Sequence, residues 1–262
     1  MQEQSAPLIF VHVPRTGGTT VWEIFRAALP GKVRRLALGD ERKNELELNR
    51  LLDGQAGSLA LIGGHVRLSA IERPLAKERI ISFIRRPRER VISSWLARIE
   101  IQKRRGIAVP EDALLRFAKV MRFRAVMLLT GLPRGQLSRW NNAADVEEHA
   151  RRLATLIDER VGFVGFLEHF DTSLCVLSQQ LGWPSAPYYE ERNRGGNKQA
   201  LPGEIVARLD QLVRLEDLVY RNLLQRRLRE WKRTYRFLGL RVLIYRMRCR
   251  LKCLRRAISR RQ

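Results

Sequence analysis

Cysteine is scarce in this chain, with three among 262 residues: Cys175, Cys249 and Cys253. No second Cys or His pair stands at ligand spacing, so neither a disulfide framework nor a zinc site is expected, and a reducing compartment fits. Long apolar runs are missing too. No stretch reaches the ~18 uncharged apolar residues of a spanning helix. The opening MQEQSAPLIFVHV has neither the basic start nor the apolar run of a secretion signal, so a cytoplasmic location is expected. The third shortage is acid: 27 Asp and Glu face 50 Lys and Arg, a formal net charge of +23. A field of that sign draws in polyanions, phosphorylated ligands or an anionic membrane surface. The imbalance peaks from Trp231 to Gln262, where twelve residues are Lys or Arg and none is acidic.

What is present suffices for a core, since 45% of the residues are hydrophobic. The run Leu8 to Val13 is rich in branched residues and stops at Pro14, which reads as a buried strand entering a loop. VWEIFRAAL then carries Val21, Ile24, Phe25 and Ala28 at helical spacing before Pro30-Gly31. Further short runs lie at Leu59 to Ile62, Ile80 to Ile84 and Val161 to Phe166. Helical patterns cover Arg42 to Leu52, Arg88 to Lys103, Glu111 to Leu129, Val146 to Asp158 and Thr172 to Leu181. This alternation predicts an α/β, P-loop-like three-layer fold: a central, mostly parallel sheet flanked by helices, with ligands beyond the carboxyl ends of the strands. Arg134 to Asn142 and Glu190 to Pro202 read as loops. Residues 1–230 are expected to form one domain whose last helix runs from about Glu204 to Arg227. Residues 231–262 form a basic tail, either an amphipathic helix on anionic lipid or a helix packed on the body with a solvated basic face.

Between the first strand and its helix stands Arg15-Thr16-Gly17-Gly18-Thr19-Thr20. Two glycines let backbone approach a ligand, several N–H groups and three hydroxyls donate, and a guanidinium stands at the mouth, all at the positive end of a helix. That is an anion cradle. It is not the nucleoside-triphosphatase loop G-x-x-x-x-G-K-[ST], because the first glycine and the lysine are absent and no early acid is placed to hold magnesium. A second segment, Phe83 to Trp95, sets Arg85 at a strand end and Ser93 in the following helix. Arginines crowded at a helix start are unfavourable without a counter-anion, so Arg85 and Ser93 are expected to converge on a second phosphate.

FVHVPRTGGTT resembles the 5′-phosphosulfate loop, and FIRRPRERVISSW the 3′-phosphate segment, of sulfotransferases that use 3′-phosphoadenosine 5′-phosphosulfate (PAPS), in the branch of the heparan sulfate 2-O- and 6-O-enzymes and bacterial relatives. Gly63-Gly64-His65 resembles that family's intervening Gly-His, and the segment from Val164 to Leu174 its later G-x-x-E-x-F-x-x-S-L pattern. The likeness runs with gaps from about residue 8 to 225. Arg15 replaces the usual lysine and Arg86 the usual aspartate.

The resemblance implies transfer of a sulfuryl group from PAPS to a hydroxyl of a saccharide or glycolipid, without a metal. Arg15, Thr16, Gly17, Gly18, Thr19, Thr20, Arg85 and Ser93 would bind the donor, Arg15 would also stabilise the leaving phosphate, and His65 would serve as base. Of the other three histidines, His12 lies within a strand, His149 on a helix surface and His169 before a helix. Two alternatives stay open at this point: a polyanion- or nucleic-acid-binding protein, and a P-loop kinase-like nucleotide binder. No recognised nucleic-acid module is present, so no specific nucleic acid is expected. The basic tail gives a possible contact with the inner face of an anionic membrane.

Overall fold

Every strand of the sheet runs in the same direction. A computed structural model of the chain describes residues 6–36, 39–55, 58–107, 113–189 and 201–259. The order of elements is β1 (Leu8–His12), α1 (Gly18–Ala28), β2 (Val33–Arg35), α2 (Glu41–Arg50), β3 (Leu61–Gly64), β4 (Ile80–Ile84), α3 (Pro87–Arg104), α4 (Ala113–Met121), α5 (Arg124–Thr130), α6 (Arg134–Asn141), α7 (Val146–Arg160), β5 (Phe163–Phe166), α8 (Phe170–Gln180), α9 (Gly203–Leu212), α10 (Arg214–Thr234) and α11 (Leu238–Ser259). The five strands are ordered β2-β3-β1-β4-β5 and are flanked by helices, as the alternation of apolar runs and helical patterns predicted.

β1 is central because its residues are apolar on both faces: Ile9, Phe10 and Val11 are fully buried. It pairs with β3 in the register Ile9↔Ile62 and with β4 in the register His12↔Phe83. Successive connections leave β1 towards one side of the sheet and β4 towards the other, so a crevice opens where their carboxyl ends lie side by side. In open parallel sheets this switch point is where ligands bind.

Several expected boundaries move, each for a local reason. The sequence does not announce β2, a three-residue edge strand holding Arg34 and Arg35. Arg134–Asn142 folds as helix α6 rather than a loop, because Leu137 and Asn141, four residues apart, both turn inward. Asn141 then ties the start of α10, accepting from the Leu215 amide at 2.9 Å and donating to the Gln211 carbonyl at 3.1 Å. The single helix expected over Glu111–Leu129 breaks at Phe123, whose φ of 63° is left-handed and whose amide donates to Glu216 at 2.9 Å. The last helix of the body is two, α9 and α10. The division expected at residue 230 falls inside α10, where Trp231 is only 1% exposed and stacks on Phe163 at 5.9 Å. Residues 190–200, including the basic stretch Asn193–Lys198, lie outside the described residues.

Candidate functional site

The loop leaving β1 bends through two left-handed residues, Arg15 with φ 66° and Gly17 with φ 79°. Such alternation turns successive N–H groups towards one point and makes a concavity for an anion. Thr16 is fully buried and donates its hydroxyl to the Val13 carbonyl at 2.7 Å. Its side chain therefore holds the loop shut, and what it can offer a ligand is backbone. Two glycines are required by packing: a Cβ at Gly17 would lie 2.8 Å from Leu167 Cδ1, and one at Gly18 would lie 1.7 Å from His12 Nε2. Helix α1 starts at Gly18, so the amides of Gly18, Thr19 and Thr20 have no acceptor within the helix. Thr19 is exposed and Thr20 half-exposed at that open end.

Arg15 reaches out of this loop towards α3. Its Nε donates to the Ser93 hydroxyl at 3.2 Å, which leaves the Ser93 proton available to another acceptor. Burial, followed by the neighbouring Arg85, works against the charge on Arg15 and lowers its pKa. Among the described residues, neither Arg15 nor Arg85 has an acidic partner. Ser93 thus meets the guanidinium of the first loop, where sequence reasoning paired it with Arg85, and the two motifs come together in one cationic patch. Two adjacent, partly desolvated cations without an acid favour a bound polyanion.

His65 follows β3 and faces the same end of the sheet. Its Nδ1 lies 2.7 Å from the His12 carbonyl. A carbonyl only accepts, so Nδ1 carries the proton and Nε2 keeps its lone pair. The two imidazoles stack at 4.5 Å between centroids. Burial pushes the His65 pKa below its usual value, and Arg35 lowers it further, while the bond to His12 acts in the opposite sense. His12 is pushed down to about 3 by burial, with His65 and Arg35 contributing. Both rings are therefore neutral near pH 7. Arg35 comes from β2 and lies over the Trp22 ring at 5.8 Å. Sequence reasoning passed over both Arg35 and His12, since nothing local to β2 or to the end of β1 says that they share one corner.

Two further arginines of the second segment, Arg88 and Arg90, have acidic partners. Arg88 binds Asp210 at 2.8 Å. Arg90 is fully buried, pairs with Glu216 at 3.1 Å and donates to the Met121 carbonyl at 2.8 Å. The crowding that argued for an anion is thus answered for Arg88 and Arg90 by acids distant in sequence, while the side chains of Arg85 and Arg86 have no ion pair among the described residues. The Arg86 amide donates to Glu168 at 3.0 Å, and the other oxygen of Glu168 accepts from Tyr220 at 2.7 Å. Glu168 therefore braces the turn that carries Arg85. Trp140 stacks on His149 at 4.5 Å, and Trp22 and Trp95 are in the core, so none of the three belongs to the patch. Among the described residues, no three His, Cys, Asp or Glu side chains are grouped to hold a metal.

No family model matches the chain, and no curated protein matches it.

Proposed function

We propose that this chain is a sulfotransferase that moves a sulfuryl group from PAPS to the hydroxyl of an acceptor, a saccharide or glycolipid. The observation that carries the reading is a neighbouring couple of cations without an acidic partner among the described residues: Arg15, before α1 and bonded to Ser93, and Arg85, between β4 and α3. The donor has phosphate groups at both ends of its ribose, and a patch with one arginine from each motif suits both. The left-handed Arg15 and Gly17 and the free amides at the start of α1 also suit a phosphate.

In this reading the donor supplies a sulfuryl group whose bond to a phosphate oxygen breaks as the acceptor oxygen bonds to sulfur. Arg15 and the amides at the start of α1 take up the charge that gathers on the departing oxygen, with the Thr19 and Thr20 hydroxyls assisting. Arginine serves there without acting as an acid, since the departing phosphate is already a stable anion. Arg85, with Ser93, holds the second phosphate. His65 takes the hydroxyl proton at Nε2, and the carbonyl of His12 keeps its ring in the required tautomer.

The test is to incubate purified protein with sulfur-labelled PAPS and a panel of saccharides and lipids. Labelled acceptor is the expected product. Failure to bind both PAPS and adenosine 3′,5′-bisphosphate in calorimetry would overturn the proposal.

A further inference from the structure

Helix α11 has two apolar faces. Leu238, Val242 and Tyr245 turn towards the body, where they are 6–7% exposed, and Cys249 continues the row half-buried. This face packs on α8 and is anchored by Tyr245, whose hydroxyl donates to the Pro187 carbonyl at 2.9 Å, and by Arg246, which binds Asp171 at 2.7 Å. Half a turn round the helix lie Leu240, Leu243, Ile244, Met247 and Leu251, each between 41% and 56% exposed. At about 100° per residue this second set points away from the body, directly opposite the first. The exposed Phe237 at the helix start extends it.

Cations border this outer ridge along both sides, with Arg241, Arg248 and Lys252 on one and Arg250 on the other, beside the Arg246 already paired with Asp171, and the helix contains no acid. Arg241 and Arg248 also edge a crevice of about 190 Å³ lined by Ser178, Gln179 and Trp183. A continuous exposed apolar ridge marks an interaction surface. Its basic borders would repel a second copy of the same face. A nucleic acid would satisfy the cations but not the leucines. A lipid surface with anionic headgroups satisfies both, with acyl chains for the ridge and phosphates for its borders. Among the described residues no helix is long and apolar enough to cross a membrane, so the fitting orientation is in the plane of the interface.

We infer that α11 docks the protein on anionic bilayers, its outer ridge at the acyl boundary and its arginines on the phosphates. This is independent of the chemistry proposed for the cationic patch. The experiment co-sediments the full chain with vesicles of phosphatidylcholine alone or mixed with phosphatidylglycerol. Two exposed variants are compared, Leu243→Ser/Met247→Ser on the ridge and Arg241→Gln/Arg248→Gln on its border, with circular dichroism and thermal midpoints as folding controls. Binding to the anionic vesicles alone, weakened about tenfold or more by either variant, is the expected result. Three results would each overturn the inference: no binding to either vesicle, equal binding to both, or anionic binding that the ridge variant leaves intact and single-stranded nucleic acid displaces.

Discussion

Arg15 and Ser93, 78 residues apart in sequence, share a hydrogen bond of 3.2 Å. The bond links the loop after β1 to the second turn of α3 and joins the two motifs. A hydrogen bond to a charged group contributes about 1.5–3 kcal/mol. Replacing Arg15 by alanine should therefore weaken binding of adenosine 3′,5′-bisphosphate about ten- to a hundredfold in calorimetry, with Arg15→Lys keeping most of it. Ser93→Ala should cost less than Arg15→Ala. Unchanged affinity in Arg15→Ala would remove the first loop from the ligand site.

His65→Ala should abolish sulfuryl transfer while leaving bisphosphate affinity within a fewfold of wild type. Because burial and Arg35 both lower the His65 pKa, the acidic limb of the rate profile should lie below the ordinary imidazole range. Arg35→Gln removes one lowering influence and should move that limb to higher pH. A limb that stays in place in this variant would show that another group sets it.

Stability should also depend on His12. Its pKa falls from 6.5 in the unfolded chain to about 3 in the fold, so below pH 6.5 the unfolded chain binds the extra proton. The contribution is fully present above 6.5 and is lost as the pH falls towards 3, with a slope of up to about 1.4 kcal/mol per pH unit. Urea titrations at a series of pH values should show a shallower dependence in His12→Gln. Parallel curves for the two proteins would contradict the assignment.

Within α3, Arg88 and Arg90 should behave differently. Glu216→Gln leaves the buried Arg90 charge without its counter-charge and should destabilise the fold by about 3–5 kcal/mol. Arg88→Ala breaks a half-exposed pair with Asp210 and should cost under about 1 kcal/mol. Denaturant midpoints measure both, and similar losses in the two variants would refute the distinction.

The strand-to-helix transitions at Pro14–Gly18 and at Arg85–Pro87 were legible because Gly, Pro and an arginine at a strand end are local signals. So was the sheet's parallel sense. What the sequence hid is non-local. Nothing near Arg90 indicates that Glu216 will bury with it, and nothing near Asn141 indicates that it will tie Leu215 and make a helix of a polar stretch. The corner built by His12, His65 and Arg35 depends on strand order, β2-β3-β1, which no window of residues contains. Arg34 and Arg35 gave β2 too polar a pattern to read as sheet.

The central position of β1 bears on the chain's synthesis. β1 is finished at His12, whereas its two neighbours begin at Leu61 and Ile80. At about 5–20 residues per second, a nascent chain carries this largely apolar strand unpaired for several seconds before either flank is translated. The anion cradle thus leaves the ribosome well before the stretch bearing Arg85, and it gains its full shape only once that stretch has emerged and zipped alongside. Chaperone dependence in that interval would be the cellular cost of placing the earliest strand in the middle.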